Sequence, residues 1–184
     1  GCNAVKWMEN RYSGRTDPIE IVHIQGTMGS TAQIGRTRAL EEAVSAHASW
    51  ELLAQLDGDF THAKAYEALS NFLREQPGDR KIDVVYCEND NEAFGAIEAL
   101  QQYGYRLGTD VDVICFDATA NALRLCMDGK ISLVVECNPL LGPLAEEIVR
   151  TMEEGKNPPK HKYIEERMFV RANLTDALIE SREY

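Results

Sequence analysis

Two periods alternate along this chain: helical spacing of three to four residues, and the short apolar runs of buried strands. Val5, Met8 and Tyr12 share one face of an opening helix. Ile19 to Gln25 reads Ile-Glu-Ile-Val-His-Ile-Gln, a strand that Gly26 ends. Ser30 or Thr31 caps the next helix, with Leu40, Ala43 and Val44 inward. Residues 51–56 form a second strand, Asp57-Gly58-Asp59 is a turn signal, and Thr61 caps a helix burying Ala65, Leu69, Phe72 and Leu73. A turn at Pro77-Gly78 leads to a strand ending at Cys87, then a helix with Ala93, Ile97 and Leu100 inward. Strands ending at Phe116 and Glu136 flank a short helix over 123–127. Pro139 and Pro143 introduce a helix whose buried stripe is Leu144, Ile148, Val149 and Met152. A Pro-rich linker follows, then an added strand over 168–170 and a terminal helix over 174–179, capped by Asn173 or Thr175.

Five apolar strands interleaved with helices imply right-handed crossovers. The fold class expected is α/β: a doubly wound, mostly parallel sheet flanked by helices, as a single domain over residues 1–184.

Three of the strands, Val84 to Cys87, Val113 to Phe116 and Leu133 to Val135, stop on polar or acidic residues. The carboxyl ends of parallel strands share one edge, and ligands bind in the crevice outside it. Asn89, Asp117 and Glu136 should therefore converge. An amide beside carboxylates offers donors and acceptors that suit the hydroxyls of a polyol. Helix capping by Asn89 or Asp90, and by Asp117, explains the same residues and is compatible with ligand contact. Arg36 lies one and a half turns into the helix after Gly26 and leans towards the strand ends, or is a plain surface arginine. Phe60 follows the Gly58-Asp59 turn and either stacks on a sugar ring or closes the core.

Several chemistries are disfavoured. Gly26-Thr27-Met28-Gly29-Ser30-Thr31 sits where a phosphate loop would, yet has neither G-x-G-x-x-G nor a G-K-[ST] ending. The net charge is −11 and the 19 Lys and Arg are dispersed, so a nucleic-acid surface is not expected. His23, His47, His62 and His161 lack ligand spacing, and neither a metal nor a cofactor is expected. The five cysteines form no C-x-x-C pair and read as buried free thiols. Asp117 and Glu136 as a hydrolytic carboxylate pair would need a cleft between them, which nothing in the sequence indicates.

Gly26-Thr27-Met28-Gly29-Ser30-Thr31-Ala32 with Arg36, Gly58-Asp59-Phe60-Thr61, Tyr86-Cys87-Glu88-Asn89-Asp90-Asn91-Glu92 with Gly95-Ala96-Ile97, Phe116-Asp117, Met127-Asp128-Gly129-Lys130, and Asn138-Pro139 with Gly142-Pro143 occur in that order. This set resembles the carboxyl-terminal lobe of the sugar-binding proteins of ABC transporters, the ribose- and galactofuranose-binding group. Its Asn-Asp and Asp-Gly motifs are shared with the inducer-binding cores of LacI-type regulators. The resemblance implies one lobe of a two-lobed type I periplasmic-binding-protein clamp, with the amino-terminal lobe outside this chain. It implies a non-enzymatic protein that holds a pentose or hexose by hinge closure and delivers it to a permease. Arg36 would bond ring and hydroxyl oxygens, Phe60 would stack, Asn89 and Asp117 would hold adjacent hydroxyls, and Glu136 or Cys137 would stand at the hinge side. Ala118, where a glycine is usual, tightens the turn after Asp117. The location implied is periplasmic, or the cell surface as a lipoprotein, and the exposed lobe face offers a homodimer contact. A sugar-sensing regulator core is the alternative, and an enzyme of Rossmann type is disfavoured by the missing dinucleotide fingerprint.

Overall fold

The computed structural model of the protein describes residues 1–76 and 81–184; the predicted Pro77-Gly78 turn lies outside the described residues. The chain runs α1 (Cys2–Arg11), β1 (Ile19–Gln25), α2 (Thr31–Ala46), β2 (Trp50–Asp57), α3 (His62–Glu75), β3 (Val84–Cys87) and α4 (Asp90–Gln102). It continues β4 (Asp112–Asp117), α5 (Ala120–Met127), β5 (Leu133–Glu136), α6 (Gly142–Glu153), β6 (Met168–Phe169), a 3-10 turn (Arg171–Asn173) and α7 (Asp176–Glu180). The strands order as β2-β1-β3-β4-β5-β6. The first five are parallel, and β6 pairs antiparallel with β5, Val134 opposite Phe169.

Side-chain alternation along the strands builds two cores. Val22, Ile24, Val85, Cys87, Val113, Cys115 and Val134 meet Ala65 and Leu69 of α3, Leu100 of α4 and Leu123 of α5. Ile19, Ile21, Val84, Tyr86, Ile114, Phe116, Leu133 and Val135 meet Met8 of α1 and Leu40 of α2. Each large aliphatic side chain so buried contributes about 1.5–3 kcal/mol. Four helices start at caps the sequence signals and α5 at one it does not, Thr119: Ser30, Thr61, Asn89, Thr119 and Thr175 each accept the N–H three residues on. Losing one such cap costs about 1 kcal/mol.

The chain leaves β1 outward to β2, then returns past β1 to β3, so the direction of winding reverses between β1 and β3. Gly26 and Glu88 stand at the carboxyl side of that switch point, where open α/β sheets receive ligands.

One expectation fails. The α6 stripe is not buried: Leu144 and Ile148 are half-buried, while Val149 and Met152 are 54% and 60% exposed. Its amphipathic spacing is real, but half of that face stays exposed. The cysteines also divide, with Cys87, Cys115 and Cys126 buried and Cys2 and Cys137 exposed. Among the described residues no helix is long and apolar enough to cross a membrane.

Candidate functional site

Arg36 is the centre of the strand-end site. It projects from α2 and is 8% exposed. Its Nη1 donates to the Glu88 carbonyl, and Nη2 donates to Asp117 Oδ1 at 2.8 Å. Its guanidinium carbon lies 4.8 Å from the Phe116 ring centroid and 6.0 Å from that of Phe60. A guanidinium close to aromatic rings with forked donors at its edge is an arrangement that arginine holds and lysine does not. Of the two readings left open by the sequence, Arg36 is therefore the inward one.

Phe60 reaches Arg36 because Gly26 makes room. A Cβ on Gly26 would overlap Cε1 and Cζ of the Phe60 ring and stand 2.5 Å from Cδ1. The Phe60 backbone is held at both ends, its N–H donating to Glu92 Oε1 at 2.9 Å and its carbonyl accepting from Asn89 Nδ2 at 3.1 Å. Glu92 Oε2 also accepts the Asn89 N–H at 3.0 Å, completing a capping box with the Asn89 Oδ1 bond to the Glu92 N–H. Gly58 lets this carboxyl in close, since a Cβ there would stand 2.7 Å from Glu92 Oε1. Desolvation pushes Glu92 up to about 8 against the pull of its backbone donors.

Asp117 stands at the end of β4, and its side chain is 37% exposed. It does not cap α5; Thr119 does, and Thr119 is itself fixed by Asp90, which accepts its N–H at 2.7 Å and its hydroxyl at 2.8 Å. Desolvation raises Asp90 to about 6, partly opposed by these bonds. Among the described residues four non-glycines take positive φ: Asp59 at 47°, Phe60 at 57°, Asp117 at 101° and Ala118 at 70°. All four belong to the two loops that present Phe60 and Asp117. Such conformations cost about 1–3 kcal/mol each and persist where surrounding bonds over-determine them, as Glu92 and Asp90 do here.

Glu136 is placed differently from its neighbours. It is 2% exposed, and its carboxylate accepts from the Arg167 N–H at 3.0 Å, from Arg182 Nη1 at 2.6 Å and from the Tyr184 hydroxyl at 3.1 Å. Desolvation would raise its pKa, but the Arg182 and Arg167 hydrogen bonds outweigh that and hold it at about 2. The Arg182 guanidinium lies 4.9 Å from both the Phe169 and Tyr184 ring centroids. The structure thus brings Arg36, Phe60, Asn89 and Asp117 together, and commits the Glu136 side chain to the carboxyl-terminal tail.

Arg36 and Glu136 line a cleft of about 490 Å³ with Thr31, Phe116 and the exposed Cys137, whose thiol faces Arg36. A cleft of about 560 Å³ lies at the opposite, amino end of the sheet beside Trp7, Arg11 and Asp112. Its buried carboxylate, Asp112, is already engaged by Arg11, Tyr12 and Ser132. Among the described residues no group of three His, Cys, Asp or Glu side chains is arranged to hold a metal ion. The sequence reading missed Glu92 and the buried His23–Glu88 pair, and took Asp90 only as a helix cap where it instead holds Thr119; the available signal for the pair was a histidine on an otherwise apolar inward face of β1.

The site thus stands at the carboxyl edge of a doubly wound lobe, at its switch point, with one guanidinium paired to one carboxylate. The chain belongs to the periplasmic binding protein family: residues 1–157 match the model described as a periplasmic binding protein domain. It is 28% identical over 155 residues to the galactofuranose-binding protein YtfQ of Escherichia coli, covering 84% of this chain and 48% of that protein. It is 31% identical over 116 residues to the ribose import binding protein RbsB of Salmonella typhimurium, covering 63% of this chain and 37% of that protein. A Mycobacterium smegmatis crystal structure in complex with β-D-fucofuranose superposes with a TM-score of 0.83 at 32% identity, over 93% of this chain and 55% of that one. The chain spans about half the length of the curated relative it matches over most of its own length.

Proposed function

We propose that residues 1–184 are the carboxyl-terminal lobe of a two-lobed clamp that binds a monosaccharide in furanose form and delivers it to an ABC permease. The observation that carries this reading is Arg36, within about 6 Å of the Phe60 and Phe116 rings at the switch point and donating to Asp117. A guanidinium has five N–H donors. Glu88 and Asp117 take two, leaving others for ring and hydroxyl oxygens. Asp117 keeps Oδ2 for a hydroxyl, and Asn89 keeps one hydrogen and one lone pair beyond its capping bonds. Phe60 presents an apolar face to the sugar. Glu136 serves the site through the tail it anchors rather than by direct contact.

Relatives named for galactofuranose and ribose, and the fucofuranose complex, support a neutral sugar over a phosphorylated one. They support a transport role over the regulator alternative, and binding over catalysis. The uncovered apolar face of α6 and the half-length match to relatives support a second lobe supplied by chain beyond these residues. A periplasmic or surface location follows from the same reading.

The test is a thermal-shift screen of the intact gene product against D-ribose, L-arabinose, D-galactose, D-fucose, D-fructose, their phosphates and nucleotides. A ligand at about 1,000 times its Kd stabilises the native state by about 4 kcal/mol, a rise of several degrees. A shift with one neutral sugar is expected. A shift with only nucleotides or phosphorylated compounds overturns the reading.

A further inference from the structure

We propose that the buried Glu88, oriented by His23, is the positioning residue that sets Arg36 and the Gly26 turn for ligand contact. This rests on the reading that Arg36 touches the ligand. Glu88 follows β3 directly, and both its side chain and that of His23 are fully buried. Its Oε1 accepts from His23 Nε2 at 3.0 Å and from the Thr37 hydroxyl at 2.6 Å, and its Oε2 accepts from the Gly26 N–H at 2.7 Å. Thr37 is the residue after Arg36 on α2. Its hydroxyl oxygen also accepts from Gln33 Nε2 at 2.9 Å, and Gln33 Oε1 accepts the Gly29 N–H at 3.1 Å. The Glu88 backbone carbonyl accepts from Arg36 Nη1. One residue therefore grips the arginine side chain, the helix turn that carries it, and the glycine turn beneath Phe60.

A carboxylate suits this place because three donors point at it. Glutamine has the same shape but one acceptor oxygen, so its amide NH2 would face a donor. The proton on His23 is fixed by its other neighbour. Gln55 Nε2 donates to Glu41 Oε1 at 3.0 Å, which turns that NH2 group towards His23 Nδ1 at 3.4 Å. Nδ1 is then the acceptor, and Nε2–H donates to Glu88. Burying a carboxylate costs several kcal/mol, which packing alone does not explain, since an apolar pair of similar volume is often as stable or more so. What the carboxylate provides is a fixed approach angle for Arg36.

The test uses this chain and the variants Glu88→Gln and Thr37→Val, with the core variant Ile114→Val as a control that loosens packing on the same sheet face. The first readout needs no ligand: the guanidinium proton–nitrogen NMR signals of Arg36, expected as resolved, slowly exchanging resonances in the parent and in Ile114→Val. They should broaden or vanish in Glu88→Gln and weaken in Thr37→Val. The second is calorimetry with L-arabinose, D-ribose and D-galactose on the intact gene product, where Glu88→Gln should lose about tenfold or more in affinity. In an Arg36→Lys background it should lose little more, because it acts through that arginine. Parent-like Arg36 signals in folded Glu88→Gln overturn the positioning role; if that variant does not fold, parent-like signals in Thr37→Val do so. Failure of these three sugars to bind the parent counts against those sugars as ligands, and the Arg36 spectrum still decides the role of Glu88.

Discussion

Gly26→Ala isolates the packing on which the aromatic part of the site depends. The backbone at Gly26 does not require glycine, as its φ lies outside the left-handed region, so the added methyl acts only through what it meets. It would meet the Phe60 ring, with Cδ1 at 2.5 Å where carbon atoms in contact stay about 3.5–4.0 Å apart. The ring must retreat by more than about 1 Å. The Phe60 backbone cannot follow, being tied to Glu92 and Asn89, so the ring swings away from Arg36. Overpacking of this kind costs about 1–3 kcal/mol, and the lower chain entropy of unfolded alanine returns about 0.4–1 kcal/mol. A net loss of about 1 kcal/mol is expected. In a Phe60→Ala background the obstruction is gone, and Gly26→Ala should become neutral or stabilising by about 0.5 kcal/mol. Urea unfolding of the parent, both single variants and the double variant measures the coupling. Equal costs of Gly26→Ala in both backgrounds would refute the packing argument.

Three further outcomes are expected. Glu136 is held at about 2 when folded against 4.5 for an ordinary glutamate, so its contribution is complete above about pH 4.5 and fades as pH falls towards 2. The stability gap between parent and Glu136→Gln, about 3 kcal/mol near neutrality, should close across that window; a pH-independent gap in thermal melts contradicts the tail pairing. Glu92 is raised to about 8, so its favourable contribution is present below about pH 4.5 and is lost as pH rises through 8. Its carboxyl carbon should titrate near 8 by NMR, and a midpoint below 5 would show that the backbone donors outweigh burial. Asp117→Ala removes a hydroxyl acceptor and strips Arg36 Nη2 of its partner, with about 2–4 kcal/mol lost from sugar binding by calorimetry. Unchanged affinity takes Asp117 out of the site.

The fold was legible because each strand and helix announces itself locally. The apolar runs of β1 and β3, the hydroxyl caps at Ser30 and Thr61, and the glycine after Gln25 are all short-range signals. The α6 stripe shows the limit of such signals: amphipathic spacing says that a face can be covered, and carries no information on which chain covers it. Asn89 was readable as cap and as ligand contact, and the structure shows the cap in place with valence left over. The bonds that shape the site were not legible. His23 and Glu88 stand 65 residues apart, and Phe60 and Glu92 stand 32 apart. Only the neighbouring of β1 and β3, and the approach of the Gly58 turn to α4, turns scattered acidic residues into a scaffold.

The tail cluster around Glu136 also bears on how the chain is made. Glu136 meets Arg167 31 residues later, Arg182 46 later and Tyr184 48 later. At synthesis rates of about 5–20 residues per second, the last of these follow the strand by about 2–10 s. Until then a docked β5 would bury an uncompensated carboxylate, which is strongly unfavourable. The half of the sheet from β2 to β4 can condense during translation, while β4 remains an open edge. On a ribosome the vulnerable interval of this lobe therefore lies between the emergence of β5 and that of Tyr184, when a bare strand edge waits for the residues that close it.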